Sequence, residues 1–190
     1  MFTKALELSR AFGYLYEDEV RALQVVALAL DADNPVIINI GAGVGTSALS
    51  FREARPEAVI YTIDKQKDGS PTGSLEGELE AFKNAEMEPP NQIHGDSSLV
   101  GRNWAKGMVD LVFVDGDHSE QGVESDISAW IVHIKSGGYM VFHDYDAINW
   151  SSVKLVVDRM MSGYKKVIDA STVVGFLIDG ADKPAMFHLK

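Results

Sequence analysis

The chain has 190 residues, 46% of them hydrophobic and 24% charged, which fits one globular domain and argues against disorder. Cysteine is absent, so a disulfide framework and thiolate zinc sites are excluded. Seventeen Lys and Arg against 28 Asp and Glu give a net charge of -11, so neither nucleic acid nor an anionic membrane surface is an expected partner.

Met1 to Arg10 lack the charged-then-apolar pattern of a secretory signal. The longest apolar run, Leu23 to Leu30, falls well short of the roughly 20 residues of a membrane span. A soluble, cytoplasmic protein is expected. Val20, Leu23, Ala27 and Leu30 recur at helical spacing, and Asn34-Pro35 stops that helix. Val36 to Ile40 reads as a strand buried on both faces. Gly41-Ala-Gly-Val-Gly45 is a turn, Thr46 to Glu53 a helix, and Val59 to Ile63 a strand ending at Asp64. Lys65 to Ser74 is polar and Gly/Pro-punctuated, the pattern of a loop.

Leu75, Leu79 and Phe82 mark a helix closed by Pro89-Pro90, and a third strand is expected near Gln92 to His94. Val109 to Val114 is the strongest strand, with Asp115-Gly-Asp-His118 directly after it. Val123, Ile127, Trp130, Ile131 and Ile134 predict an amphipathic helix stopped by Gly137-Gly138. Tyr139 to Phe142 is a fifth strand, followed by His143-Asp144. Val153, Val156, Val157, Met160 and Met161 trace a last helix, and Lys166 to Ile168 and Val173 to Ile178 pair antiparallel. Such alternation implies an α/β, doubly wound, mostly parallel seven-stranded Rossmann-like sheet with a C-terminal antiparallel hairpin. The organisation is one domain over 1–190, with helices in 1–34, a core in 35–180 and a tail in 181–190.

Right-handed crossovers put every parallel strand's C-terminal end on one rim, where ligands bind. Asn39-Ile-Gly41-Ala-Gly43-Val-Gly45-Thr46 has glycine at first, third and fifth places. A dinucleotide fingerprint needs glycine at the sixth, which is Thr46, and no Walker A lysine follows. The motif is either a ligand-cradling loop or a merely tight βα turn. Asp64 is placed to accept hydrogen bonds from ribose hydroxyls, or is an exposed loop carboxylate.

These residues resemble the class I S-adenosylmethionine-dependent methyltransferases, and the resemblance runs from about Val36 to Ile178. It implies a cofactor loop at Asn39, Gly41, Gly43 and Gly45, ribose contacts at Asp64, and an adenine contact at Asp96-Ser97. Val112 to His118 with Gly137 to Asp144 is similar, more narrowly, to the metal-dependent O-methyltransferases of the macrocin O-methyltransferase and cephalosporin hydroxylase-like group. That likeness implies metal ligands at Asp115, His143 and Asp144, a base at His118, and a small-molecule hydroxyl as acceptor. His143 stands where an oxygen ligand is usual, and magnesium prefers oxygen. The metal is then manganese-, iron- or zinc-like, or His143 is no ligand, or none binds. His118 is otherwise a loop histidine, with Asp117 capping the helix that starts near Ser119.

Two further readings stay open, a non-catalytic nucleotide-binding module of the same fold and an NAD-binding oxidoreductase. Trp130, Met160 and Met161 sit at core spacing, as His94, His133 and His188 suggest no partner. Tyr145 and Trp150 wall an acceptor pocket or join the core. Phe12 to Tyr16 resembles the family's N-terminal cover over the site, and Glu17, Asp18 and Glu19 suit a helix N-terminus.

Overall fold

The structure, a computed structural model, describes residues 3–12, 14–65 and 74–179. The loop read between Lys65 and Ser74 therefore falls largely outside the described residues, as do the 181–190 tail and His188. β1 (Val36–Ile40) lies between β2 (Val59–Asp64) and β4 (Val109–Val114), parallel to both. β3 (Asn91–His94) extends the sheet beyond β2, and β5 (Ile134–Phe142) lies parallel to β4. β7 (Val173–Ile178) is antiparallel to both β5 and β6 (Lys165–Ala170), so the last strand inserts inside the sixth. The order is β3-β2-β1-β4-β5-β7-β6.

Period-2 alternation sorts these strands between two cores. Ile38 and Val112 join Trp130 and Val156 on one face, while Ile37 and Leu111 join Leu23, Leu49 and Phe51 on the other. Each such side chain, fully removed from water, contributes about 1.5–3 kcal/mol. Among the helices, α1 (Lys4–Phe12), α2 (Glu17–Leu28) and α3 (Thr46–Ala54) cover the second face. Polar side chains at the end of α3 fasten the other two. Glu53 accepts the backbone N–H groups of Thr3, Lys4 and Ala5 at 2.9, 2.7 and 3.2 Å, which are the orphan donors that open α1. Arg55 donates to the Leu30 carbonyl at 2.7 Å, just past the end of α2.

α4 (Leu75–Ala85) follows β2, and α7 (Ser151–Met160) follows β5. Two elements depart from the sequence reading. α5 (Ser97–Arg102) was not expected; Asp96 creates it by accepting the Leu99 N–H at 3.0 Å as N-cap. α6 (Glu120–Trp130) stops before Ile131, with one 3-10 turn over Ile131–His133 before β5 begins at Ile134. Ile134 is buried as its spacing implied, but as a strand residue beside Val109. The register between Val109 and Leu111 then slips, and Gly137-Gly138 sits in this bulge instead of ending a helix. Among the described residues, no helix is long and apolar enough to cross a membrane.

Candidate active site

The chain runs outward from β1 to β2 and β3, then returns to β4 on the other side. The direction of winding thus reverses between β1 and β4, and their C-terminal ends open a crevice. Gly41, Gly43 and Gly45 all have positive φ, 93°, 50° and 91°, and form the wall on the β1 side. A Cβ on Gly41 would lie 2.1 Å from the Asp115 carbonyl oxygen, so the glycine loop is pressed directly against the start of the β4 loop. A Cβ on Gly43 would meet nothing within 4 Å. Bare backbone there faces open space, as a loop cradling a ligand requires.

Asp64 ends β2 beside this loop, and the Ala42 N–H donates to its Oδ2 at 2.7 Å. Asn39 is fully buried; its Nδ2 donates to the Gly41 carbonyl at 2.9 Å. It therefore shapes the loop from beneath. Thr62 and Gln92 donate to the two oxygens of Glu78 at 2.9 and 2.8 Å under the same loop. Burial pushes the Glu78 carboxyl up to about 7, against those hydrogen bonds. Beyond Asp64, Lys65, Asp96, Ser97, Asp117 and Asp126 line a cavity of about 350 Å³ between β2, α5 and α6. Asp96 and Ser97 thus border open space, although Asp96 also caps α5. Asp117 accepts the Ser119 N–H at 2.9 Å, while Ser119 itself caps α6.

On the other side of Asp115 stand His118, His143 and Asp144. The sheet aligns them, because the Asp115 N–H bonds to the Ile40 carbonyl and the His143 N–H to that of Val114. His118 Nε2 lies 2.9 Å from Asp144 Oδ2 and 3.7 Å from Asp115 Oδ1. His143 Nδ1 lies 3.1 and 3.3 Å from the same two oxygens. Both nitrogens are buried and close to carboxylates, yet neither makes an aligned hydrogen bond. Asp115, His118 and Asp144 each offer a donor atom within 4.8 Å of the others, spacing that suits a metal ion. The ring of Trp150 stacks on His118, 4.6 Å between centroids and 20° between planes, at the mouth. Tyr145 is instead buried and donates to Asp158.

Charge decides the protonation states. Asp115 and Asp144 push His118 up to about 9, outweighing the burial that would lower it. Burial would also lower His143, but the charge of Asp115 and the close contacts with Asp115, Asp144 and Glu19 push it up to about 12. Burial would raise Asp144, yet the two imidazoles hold it well below the usual carboxylate range. In this arrangement Asp115 and Asp144 hold the proton on His118, the residue for which the resemblance implies a base role.

One residue of this cluster escaped the sequence reading. Glu19 is a first-turn residue of α2, as expected, and accepts the Tyr16 N–H at 2.7 Å. It is also 0% exposed and reaches His143 Nε2 at 3.2 Å and both Thr172 N and Oγ1, at 3.0 and 2.7 Å. Burial would raise its carboxyl, but bonds from His143, Thr172 and Tyr16 hold it down at about 2. A contact spanning 124 residues leaves no local signal. His133 finds a partner too, the Gly101 carbonyl at 2.9 Å, away from the site.

A family model described as a methyltransferase domain matches residues 38–145, from β1 through the acid-imidazole cluster. The chain belongs to this methyltransferase-domain family. An uncharacterized protein of Acanthamoeba polyphaga mimivirus is 42% identical over 43 residues, 23% of this chain, and the match spans only 20% of that relative. The O-methyltransferase NovP has the same fold, with TM-score 0.70 at 13% identity, covering 85% of this chain and 80% of that one. So does the MycE methyltransferase of the mycinamycin biosynthetic pathway, solved with Mg, SAH and mycinamycin VI. Its TM-score is 0.64 at 16% identity, covering 96% of this chain and 56% of that one.

Proposed function

We propose that this methyltransferase domain uses S-adenosylmethionine to methylate a hydroxyl of a small molecule in the cytoplasm, with a divalent cation at Asp115, His143 and Asp144. The observation that carries the reading is the packing of Gly41 against Asp115, so close that a Cβ would fall 2.1 Å from the Asp115 carbonyl oxygen, which makes the glycine loop and the Asp115 cluster two sides of one wall. A cofactor on the loop and an acceptor at the cluster are then neighbours. The residues fit both groups: open, positive-φ glycine backbone toward the cofactor, and two carboxylates with an imidazole at metal-ligand spacing toward a cation. That NovP is an O-methyltransferase, and that MycE was solved with Mg and SAH, supports the same assignment.

In the reaction the acceptor oxygen attacks the sulfonium methyl carbon in line; the new O–C bond forms as the S–C bond breaks, and S-adenosylhomocysteine leaves. The protein's contribution is alignment. Asp64 and the loop amides fix the cofactor, with Asp96 and Ser97 at its adenine end. Asp115 and Asp144 draw the hydroxyl toward the methyl group, and Trp150 walls the mouth. A bound divalent cation supplies acidification of the hydroxyl, whose proton departs to water at the open rim. His118 is not required to take it.

Titrating S-adenosylmethionine into the purified protein tests this directly. Saturable binding, weakened about 10–100-fold in Asp64→Ala as expected for loss of charged hydrogen bonds, supports the reading. Equal affinity for NAD would move it to an oxidoreductase. Cofactor binding without turnover over a panel of hydroxyl acceptors would leave a binding module. Methyl transfer that survives a strong chelator unchanged would remove the cation.

A further inference from the structure

The cluster contains more nitrogen than a magnesium site uses, and the arrangement of its hydrogen bonds states why. His143 is 7% exposed, and its Nε2 is committed to Glu19 at 3.2 Å. That contact turns Nδ1 toward Asp115 Oδ1 and Asp144 Oδ2, at 3.3 and 3.1 Å, where it has no hydrogen-bond partner. His118 Nε2, also buried without one, approaches the same oxygens at 3.7 and 2.9 Å. Both nitrogens lie at ion-pair distance from the two carboxylates without hydrogen-bond alignment, so the four groups converge on one point that a cation fits. Donors that share an ion at about 2.1 Å stand about 3.0–3.4 Å apart; three of the spacings, 2.9, 3.1 and 3.3 Å, lie close to this, and His118 Nε2 to Asp115 Oδ1 is longer at 3.7 Å.

We infer that the site is built for a transition-metal ion bound by His118 and His143 together with Asp115 and Asp144, and that Glu19 is the positioning residue that aims His143. The inference rests on the proposed location of the cation but adds a fourth ligand, a metal class and an outer partner. Two imidazoles with two carboxylates suit zinc, manganese, iron or cobalt, whereas magnesium seeks an octahedron of oxygens. Glu19 does not touch the ion. It holds the far nitrogen of a ligand, the role of carboxylates behind metal-bound histidines. Its own position is fixed by Tyr16 N, Thr172 N and Thr172 Oγ1, so α2 and the β6–β7 turn jointly set the angle of the ring. A divalent ion entering there displaces the protons on His143 Nδ1 and His118 Nε2, which leave to solvent, so two positive charges replace two among the same carboxylates.

The test is metal binding by calorimetry on metal-free protein, with Zn(II), Mn(II) and Mg(II) each alone, and the visible spectrum of the Co(II)-loaded protein. Zn(II) is expected to bind at least about 100-fold more tightly than Mg(II). Glu19→Gln is expected to weaken Zn(II) about 10–100-fold and to shift the Co(II) bands, a change that general loosening of the fold would not produce. Should Glu19→Gln fail to fold, His118→Gln leaves the Glu19 contacts whole and must show the same loss of Zn(II) affinity. Mg(II) binding as tight as Zn(II), or His118→Gln or a folded Glu19→Gln with unchanged Zn(II) affinity, overturns the inference. S-adenosylmethionine is titrated into the same samples: cofactor binding and turnover with Mg(II) alone would sink the metal assignment while sparing the methyltransferase reading. Zn(II) selectivity without cofactor binding would do the reverse.

Discussion

Gly41 and Gly43 are two residues apart and both have positive φ, yet alanine should act on them differently. At Gly41 the new Cβ would sit 2.1 Å from a main-chain oxygen of Asp115, which cannot rotate away. The β1 loop or the end of β4 must shift, and Gly41→Ala is expected to cost about 2–3 kcal/mol of stability. At Gly43 nothing lies within 4 Å, so alanine meets only the backbone strain of its φ, about 1 kcal/mol. If the loop cradles a cofactor, the larger loss at Gly43 appears in S-adenosylmethionine affinity, not in melting temperature. Thermal melts and titrations of both variants check this; a Gly43→Ala protein that binds normally would detach the cofactor from the loop. Similar reasoning separates Glu19 from Glu17. Both open α2, but Glu17 pairs with Arg10 and Arg21 at the surface, where ion pairs contribute little, while Glu19 is sealed inside.

Among the elements, the contact of α4 with β2 and β3 carries a pH dependence. Glu78 is buried under the glycine loop with its carboxyl up at about 7, against 4.5 when unfolded. Between those values the folded chain holds a proton that the unfolded chain has lost, so stability is fully present below about pH 4.5 and declines up to about pH 7. The total effect is at most about 3 kcal/mol. Glu78→Gln keeps the shape without the charge, so it should melt higher than the parent at pH 8 and show no such advantage at pH 5. Equal melting of the two proteins at pH 8 would mean that Glu78 ionises in place at little cost. Elements of this kind were largely legible in the sequence. Val36 to Ile40 and Val109 to Val114 have unbroken apolar runs because both their faces are covered, and no alternative pattern competes. Legibility failed where two periods overlap: Ile131 and Ile134 are three apart, which serves a helix and a 3-10 turn into a strand equally well. It failed again at Ser97 to Arg102, too short for any period, and at β7, whose place inside β6 depends on pairing with β5. The Gly, Asp and His residues of the rim were readable because they interrupt such runs. Glu19, 153 residues from Thr172, was not.

At the scale of the whole molecule, the glycine loop and the acid-imidazole cluster share the Gly41–Asp115 contact, so the ligands proposed for them should not bind independently. A ligand that binds only the folded chain stabilises it by about 2.7 kcal/mol at 100 times its Kd. For a domain of this size, each kcal/mol moves the melting temperature about 2–4 °C. S-adenosylmethionine is therefore expected to raise it by about 5–10 °C, and NAD at the same concentration to leave it unchanged. Zn(II) should add its own increment, helped by the net charge of -11, which favours any cation. The informative quantity is the sum. If the shared wall couples the sites, the increment with both ligands differs from the two separate increments added together, and each ligand changes the other's Kd by the same factor, since coupling is reciprocal. Strict additivity would show that the contact is rigid and transmits nothing. The sign is expected to be positive, because a cofactor pressing on Gly41 pins the Asp115 main chain, and the cation then finds one of its carboxylates already in place.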